Sequence, residues 1–267
     1  METAADFVKS HKEEGADYIK LMQENCCSLA LPTGSVPSAT LELQTAVVNA
    51  GHAEGMIVVG HATSVDSTKI LLQAGADGMT HTFVDQPPTE EIIELYKKTG
   101  AFVIPTLTVL SSLAGDEQEF RDRFAKIARE RGLLDDFYYD NMVSAMGMNA
   151  PEAKLEYAYA TIKRLRKEGI DIVAGTDAVS GLKGTAIEPS MRMELEMYVT
   201  KCDMTPVEAL SAATGVSAKR FGFGDRGTIQ EGKRADLVLL KGSLSESLVP
   251  LWEKDGIVKV WKTGILA

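Results

Sequence analysis

Two short stretches decide the fold: Gly60-His61-Ala62-Thr63 and, twenty residues later, Met79-Thr80-His81-Thr82. Each histidine follows a short apolar run, residues 56–59 before the first and residues 75–79 before the second. The segment between them, residues 65–74, has apolar side chains at helical spacing. The order of strand, histidine, helix, strand and histidine predicts two successive βα units with an imidazole at the same place in each.

His61 and His81 are expected to lie close together. In a parallel α/β fold the C-terminal ends of neighbouring strands face one mouth, and both histidines stand at such ends. Neutral imidazole is the commonest metal ligand, so two that converge are half of a metal site. The alternative is two polar strand ends that loops and water cover. Because the chain has only four histidines, two of them in register, we favour a metal site.

Composition restricts the class of protein. The 267 residues, 45% of them hydrophobic, suit one large domain or a domain with a small appendage. The formal net charge of −10 argues against nucleic acid and against an anionic membrane surface as partners. No apolar run approaches the length of a membrane span, and no secretory signal opens the chain. Cys26, Cys27 and Cys202 cannot form a disulfide framework, which favours a reducing, cytoplasmic location.

Two further strand ends carry candidate functional groups. A strand predicted over residues 16–22 contains Lys20, whose bare ammonium would be costly to bury. Lys20 is either a snorkelling lysine at the strand mouth or a lysine with a chemical task. A strand predicted over residues 171–174 leads to Asp177. An aspartate there is often only a cap or turn residue. Because two histidines and a lysine are predicted at equivalent strand ends, Asp177 becomes a candidate acid/base.

The rest of the chain alternates helices with loops. Residues 23–38 predict a loop on the active face, and residues 101–109 a strand running on past Pro105. Residues 116–149 predict a charged helical excursion. From Gly227 the sequence changes to short strands of a small β appendage. We therefore expect domains at residues 1–226 and 227–267. The predicted helices cover residues 3–14, 40–50, 87–98, 151–167 with Asn149 as cap, 189–202, 205–213 and 217–221.

An ordered set of segments resembles the amidohydrolase superfamily, and within it the imidazolonepropionase-like and Xaa-Pro dipeptidase-like members. Each motif is weak by itself, but the set covers nearly the whole chain in the family's order. The segments are Tyr18-Ile19-Lys20, Val59-Gly60-His61-Ala62, Thr80-His81-Thr82, Ala174-Gly175-Thr176-Asp177-Ala178, Thr205-Pro206-Val207-Glu208-Ala209-Leu210, Ala212-Ala213-Thr214, Gly227-Thr228-Ile229 and Gly232-Lys233-Arg234-Ala235-Asp236-Leu237-Val238.

The resemblance implies a (β/α)8 TIM barrel with a metal site at its C-terminal face, plus a small β-sandwich. This α/β chain would hold a truncated barrel, strands four to eight, with a C-terminal β-sandwich segment. Lys20 would be the strand-four lysine that carbon dioxide converts to a carbamate, an anionic metal ligand. His61 and His81 would be the strand-five and strand-six ligands. Asp177 would be the strand-eight carboxylate, a metal-site residue that accepts the proton of the attacking water.

The implied activity is metal-dependent hydrolysis of a small-molecule substrate. A divalent metal, with Zn²⁺ first in line, would activate water at neutral pH. Asp177 would pass the proton to the leaving amine as general acid/base. The bond cleaved would be an amide, another C–N bond or an ester.

Three departures from the family pattern keep other interpretations open. The strand-one His-x-His motif does not precede Lys20. Thr80-His81-Thr82 stands where the family often has Glu-His-Gly, and Met193-Glu194-Leu195 lacks a histidine often found just before Glu-Leu. The chain could be a non-catalytic relative that binds a ligand without turnover, or a metal-free lyase with Lys20 as a free amine. Exposed parallel edges of an incomplete barrel would favour a homo-oligomer.

Overall fold

The computed structural model describes residues 3–267, so the first two residues of the predicted 1–226 domain lie outside the described residues. The strands are β1 Tyr18–Met22, β2 Ile57–His61, β3 Gly78–Thr80, β4 Phe102–Ile104, β5 Leu237–Leu240, β6 Ile257–Lys262 and β7 Ile265–Leu266. The α-helices are α1 Ala4–Glu13, α2 Leu41–Ala53, α3 Val65–Ala74, α4 Glu90–Thr99, α5 Leu107–Ala114, α6 Gln118–Glu130, α7 Asp136–Val143, α8 Leu155–Lys167, α9 Pro189–Lys201, α10 Pro206–Ala213 and α11 Gly215–Arg220.

The chain divides into two compact units. The first unit contains residues 3–105 and 148–172, and the second contains residues 106–147 and 173–267. Neither boundary falls at residue 226, and the division into 1–226 and 227–267 stays a prediction. Among residues 3–267, no helix combines the length and the apolar character needed to cross a bilayer. Within residues 3–267 none of the three cysteines forms a disulfide, and Cys26 and Cys202 are buried.

The first unit is built on a parallel sheet with strand order β1-β2-β3-β4. The register aligns Met22 with His61, His61 with Thr80 and Thr80 with Ile104. Helices α2, α3 and α4 connect successive strands, as the βα pattern of the sequence predicts. The parallel α/β fold is therefore confirmed, and the two histidines stand at the C-terminal ends of neighbouring strands.

Local signals start and stop the connecting helices. The side chains of Thr40 and Ser64 accept hydrogen bonds from backbone N–H groups in the first turns of α2 and α3. Gly75 and Gly100 end α3 and α4 in the left-handed conformation, which costs glycine little because it has no Cβ. The apolar core of the sheet's helix-covered side is Ile19, Leu21, Val58, Met79 and Val103, each less than a tenth exposed.

A close approach between neighbouring strands requires glycine at position 78. Gly78 pairs with Phe102, and a Cβ built on Gly78 would lie 2.4 Å from Cζ of that ring. The ring is buried, so it has little room to move aside. Phe102 thus occupies the space that a side chain on β3 would take, and it packs directly onto the backbone that leads to His81.

Three predicted boundaries differ from the structure. The strand expected over residues 171–174 is reduced to one parallel bridge, between Ile172 and Val103. The strand expected to run on to residue 109 ends at Ile104, and helix α5 begins at Leu107 instead. Helix α8 begins at Leu155 with Lys154 as cap residue, so Asn149 is not its cap. In each case the element begins or ends at a different residue than the sequence pattern indicates.

The second unit combines helices with an antiparallel sheet of order β5-β6-β7. The charged excursion predicted over residues 116–149 contains α6 and α7. The capping box predicted at Thr205 is present, because Glu208 and Thr205 each accept a hydrogen bond from the other's backbone N–H. The strands predicted after Gly227 are also present, and their apolar side chains are largely exposed.

A buried carboxylate on α9 holds the start of α5. Thr106 precedes α5 in the left-handed conformation and does not cap it through its side chain. Glu194 does so from the neighbouring helix, accepting hydrogen bonds from the N–H groups of Leu107 and Thr108 at 2.8 and 2.7 Å. The Thr108 hydroxyl donates a third at 2.9 Å. A negative group at a helix N-terminus also interacts favourably with the helix dipole.

We expect the stability of the chain to fall as pH rises through the titration of Glu194. Burial raises the pKa of Glu194 to about 7 against the opposing effect of its hydrogen bonds. The unfolded carboxyl ionises near its ordinary pKa of 4.5, whereas the folded one still holds its proton. The stabilisation is therefore complete below pH 4.5 and is lost up to about pH 7, by about 3 kcal/mol at most. Urea unfolding of wild type and Glu194→Gln across this range measures it.

The Glu194→Gln variant lacks this titration. The unfolding free energy of the wild type minus that of the variant should therefore fall as pH rises. Thr108→Val is the matched variant, because it removes one hydroxyl donor to Glu194 and should move the transition to higher pH. Parallel curves for wild type and Glu194→Gln would contradict this account of the buried carboxyl.

Candidate functional site

The two histidine rings lie together in the first unit. His61 is the last residue of β2, and His81 follows β3 directly. The backbone N–H of His81 donates to the carbonyl of Ile104 at 2.9 Å, which extends the pairing with β4 by one residue. His81 has a φ of 69°, a left-handed conformation that turns the chain out of the strand. The ring centroids are 4.6 Å apart and the planes cross at 82°.

The His81 imidazole is held in its neutral form. His81 is only 5% exposed, and burial lowers its pKa well below the ordinary value. The neighbouring His61 and the positive charge of Lys20 lower the pKa further. A neutral imidazole carries a free lone pair on one nitrogen, which is the form that binds a metal ion. The environment of His81 therefore favours the ligating form at neutral pH.

The charge of Lys20 acts on His81, but the Lys20 side chain is not buried. It lies in the middle of β1, in register with Val59, and the strand alternates exposed and buried residues. Lys20 is on the exposed side, so its ammonium avoids the cost of burial, and the choice between a snorkelling lysine and a lysine with a chemical task stays open. The apolar run of β1 is misleading because only Ile19 and Leu21 enter the helix-covered core. The Lys20 charge still acts on His81.

Glu24 is a member of the site that the sequence analysis missed. It lies in the loop after β1, is 5% exposed, and its Oε2 is 3.3 Å from Nε2 of His61. The Thr63 hydroxyl donates to Oε2 at 2.5 Å, and the N–H of Cys26 donates to Oε1 at 2.7 Å. Burial acts to raise the pKa of Glu24, but the hydrogen bonds from His61, Thr63 and Cys26 lower it overall.

A sequence signal for Glu24 was present. The residue lies two positions after Met22, which is the register partner of His61. The reasoning that selected His61 and His81, polar groups just past parallel strands, applies equally to Glu24. Residues 23–38 are predicted to form a loop on the active face, but the composition of the loop points to no particular ligand. The Cys26 N–H is a local donor two residues away, whereas the Thr63 hydroxyl and His61 reach Glu24 only in the folded chain.

Asp177 belongs to the second unit. It is exposed and has a φ of 53°, the left-handed conformation expected of a turn residue. The hydroxyl of Thr176 accepts a hydrogen bond from the N–H of Ala178 across this turn. The histidines belong to the first unit, and a role of Asp177 beside them stays a prediction.

The side chains of the first unit fit half of a metal site. Two neighbouring imidazoles, one of them held neutral, are suitable ligands. Within residues 3–267, however, no group of three or more His, Cys, Asp or Glu side chains is placed to hold a metal ion. Glu24 accepts hydrogen bonds from the Cys26 N–H and the Thr63 hydroxyl and is in hydrogen-bond contact with His61. A third protein ligand would have to come from another kind of group, such as a carbamate on Lys20.

The family of the chain is shown by its similarity to known proteins. Residues 3–266 match the amidohydrolase family, which is nearly the full length of the chain. The chain belongs to the amidohydrolase family. This confirms the resemblance drawn from the ordered motifs. The expectation of an α/β fold built on a parallel sheet is confirmed with it.

Individual relatives agree with this membership. The chain is 33% identical to imidazolonepropionase of Deinococcus deserti over 102 residues, 38% of this chain and 25% of that protein. It is 24% identical to ochratoxinase of Aspergillus niger over 264 residues, 97% of this chain and 48% of that protein. The chain therefore spans about half the length of the ochratoxinase it matches. A crystal structure of a Xaa-Pro dipeptidase with bound methionine superposes with a TM-score of 0.68 at 23% identity, covering 100% of this chain and 59% of the dipeptidase.

Replacing Lys20 should raise the pKa of His81. Lys20→Met removes a positive charge that lowers this pKa, but burial and His61 remain, so the pKa should stay below 6.5. Nuclear magnetic resonance of the histidine side chains against pH, in buffer freed of carbon dioxide, measures the midpoint. Lys12→Met is the control, because Lys12 binds Glu54 and does not act on His81. An unchanged midpoint in Lys20→Met would place the lysine outside the site.

Proposed function

We propose that this chain carries the centre of a metal-dependent amidohydrolase that cleaves an amide, another C–N bond or an ester in a small molecule. The observation that carries the proposal is the contact of His61 with His81 at the ends of adjacent parallel strands, 4.6 Å between ring centroids. Family membership over residues 3–266 supports it, as do relatives named ochratoxinase and Xaa-Pro dipeptidase.

Different side chains would bind the metal and transfer the proton. His61 and His81 would bind a divalent cation, Zn²⁺ first among the candidates, with a carbamate on Lys20 as the third ligand. The bound ion would supply Lewis-acid polarisation and a water of lowered pKa. Asp177 would accept the proton of the attacking water and return it to the leaving nitrogen as the C–N bond breaks. Exposure leaves the Lys20 amine accessible to dissolved carbon dioxide.

The fold proposal follows the same family pattern. Strands β1 to β4 would be strands four to seven of a (β/α)8 barrel, and the bridge at Ile172 would mark strand eight. The antiparallel sheet β5-β6-β7 would be the C-terminal segment of the β-sandwich. Parallel order and the histidine positions support the barrel assignment, since the metal-binding side chains of a barrel stand at the C-terminal strand ends.

Metal content per chain tests the proposal. Protein purified without chelator, or loaded with zinc in bicarbonate buffer, should hold metal that plasma mass spectrometry detects at near-stoichiometric level. The double variant His61→Ala/His81→Ala should lose it. The matched control is His11→Ala/His52→Ala, which removes the same number of imidazoles outside the site. Carbon-13 bicarbonate should give a carbamate resonance in the zinc-loaded wild type that is absent in Lys20→Arg.

The results separate the two functional alternatives. Metal that depends on His61 and His81, followed by turnover in a panel of amides and esters, supports the hydrolase. Absence of metal in zinc-loaded wild type would overturn it and favour a relative that binds a ligand without metal chemistry. Trapping of a carbonyl compound on Lys20 by borohydride would instead favour the lyase alternative, in which the lysine acts as a free amine.

We also propose that the chain forms a homo-oligomer. Within residues 3–267, β1 is an edge strand of the parallel sheet, and Met22 on it is 60% exposed. Edge strands with exposed apolar residues are sites of pairing with another chain. Light scattering coupled to gel filtration should give a mass of at least two chains. A stable, monodisperse monomer would contradict this proposal.

A further inference from the structure

Glu24 is a buried carboxylate beside His61 that no expectation about this chain assigned. It is 5% exposed, and an ionised carboxylate at such a place is costly unless hydrogen bonds replace its water. The Thr63 hydroxyl and the Cys26 N–H donate to it, and its Oε2 lies 3.3 Å from the ring nitrogen Nε2 of His61. Both oxygens of the carboxylate therefore act as hydrogen-bond acceptors, Oε1 towards the Cys26 N–H and Oε2 towards the Thr63 hydroxyl.

The hydrogen bond between Glu24 and His61 has a defined direction. Both oxygens of Glu24 accept other hydrogen bonds, and at pH 8 an ordinary carboxyl is ionised, so Glu24 has no proton to donate to the ring. Nε2 of His61, 3.3 Å from Oε2, must therefore carry the proton. A neutral imidazole has one protonated nitrogen, and the lone pair available to a metal then lies on Nδ1. The contact thus selects one tautomer of His61.

We propose that Glu24 is a positioning residue that holds His61 in the Nε2–H tautomer and leaves Nδ1 as the nitrogen that binds a divalent cation. The part about the cation rests on the proposed function, whereas the tautomer does not. In metal sites, a ligating histidine almost always donates its other N–H to a carboxylate, a carbonyl or water, which fixes the ring and strengthens the ligand. Glu24 is the carboxylate in that place.

Glu24 is itself held firmly enough to orient a ring. The Thr63 hydroxyl that donates to it is 2.5 Å from the hydroxyl of Ser28, and both residues are buried. The Cys26 N–H donates from a residue with a φ of 64°, which bends the loop back onto the carboxylate. The backbone carbonyl of Glu24 accepts from the Ser38 hydroxyl at 2.7 Å. These contacts fix the carboxylate independently of His61.

A second histidine–carboxylate pair outside the site provides an internal reference. Nε2 of His52 is 2.9 Å from Oδ2 of Asp77. His52 is on α2, and its side chain is 43% exposed. The chain has four histidines, so their nitrogen resonances can be assigned individually. A change at position 24 should alter the His61 signals and leave those of His52 in place.

The variant Glu24→Gln should reverse the tautomer of His61. Gln has one oxygen, and the Cys26 N–H, a backbone donor that cannot reorient, requires it. The NH2 group then occupies the place of Oε2 and donates towards His61, whose Nε2 must accept. The Thr63 hydroxyl can rotate to donate to Ser28 instead. The proton of the His61 ring should therefore move to Nδ1.

Nitrogen-15 spectra of the metal-free protein at pH 8 read the tautomer directly. We expect Nε2–H for His61 in the wild type and Nδ1–H in Glu24→Gln, with His52 unchanged. Thr63→Val is the packing control, since it removes a donor to Glu24 but keeps the carboxylate, and His61 should stay Nε2–H. Circular dichroism checks that each variant is folded. An Nδ1–H tautomer in the wild type, or no reversal in a folded Glu24→Gln, would overturn the inference.

Zinc titration separates this inference from the proposed function. In the wild type, zinc should shift the Nδ1 resonance of His61 and leave Nε2 protonated. Glu24→Gln should bind zinc about 10- to 100-fold more weakly, the usual cost of losing such a partner, measured by competition with a chelating dye. Zinc on Nε2 of His61 would overturn the inference while the proposed function stands. Absence of zinc binding by the wild type would overturn the proposed function, and the metal-free spectra would still decide the tautomer.

Discussion

The parallel register of the four-stranded sheet is the constraint on which the site depends. Met22, His61, Thr80 and Ile104 form one row across β1 to β4, and the functional groups stand on this row or just beyond it. A shift of one residue in any strand would turn its side chains to the opposite face. The left-handed turn at His81 then brings a residue one position past the row towards His61. The contact between the rings therefore depends on the register of β2 and β3 and on the left-handed conformation of His81.

Two glutamates are buried in the described part of the chain, residues 3–267, and their surroundings shift their pKa values in opposite directions. Glu194 is wholly buried and bonded to backbone and hydroxyl donors, and burial dominates, so its pKa rises. Glu24 is also buried, but its donors include an imidazole that can become positively charged, and its pKa falls. The first carboxyl anchors a helix, and the second supports a ring. The difference shows that a buried carboxyl cannot be assigned a role from its burial without its partners.

Sequence patterns predicted the elements of the first unit well because their signals are local. Apolar runs, cap residues and glycine stops specify β1 to β3 and the helices between them. Predictions failed where tertiary contacts decide. Residues 107–109 look like a strand but form the start of α5, whose first turn is capped by Glu194 from another helix. Lys20 lies within an apolar run, and only the alternation of the folded strand shows that it is on the exposed side. Glu24 was missed because its donors converge only in the folded chain.

The packing of Phe102 against Gly78 has a consequence for how proteins of this kind can diversify. Position 78 of β3 has no room for a side chain, so changes of specificity cannot arise there by stepwise enlargement of that residue. The loop of residues 23–38 is different, since much of it is exposed and only a few of its residues are buried. Variation is tolerated in such segments far better than in packed strands. The sheet is thus the conservative component of this architecture, and the loop that carries Glu24 is the component in which new recognition can evolve.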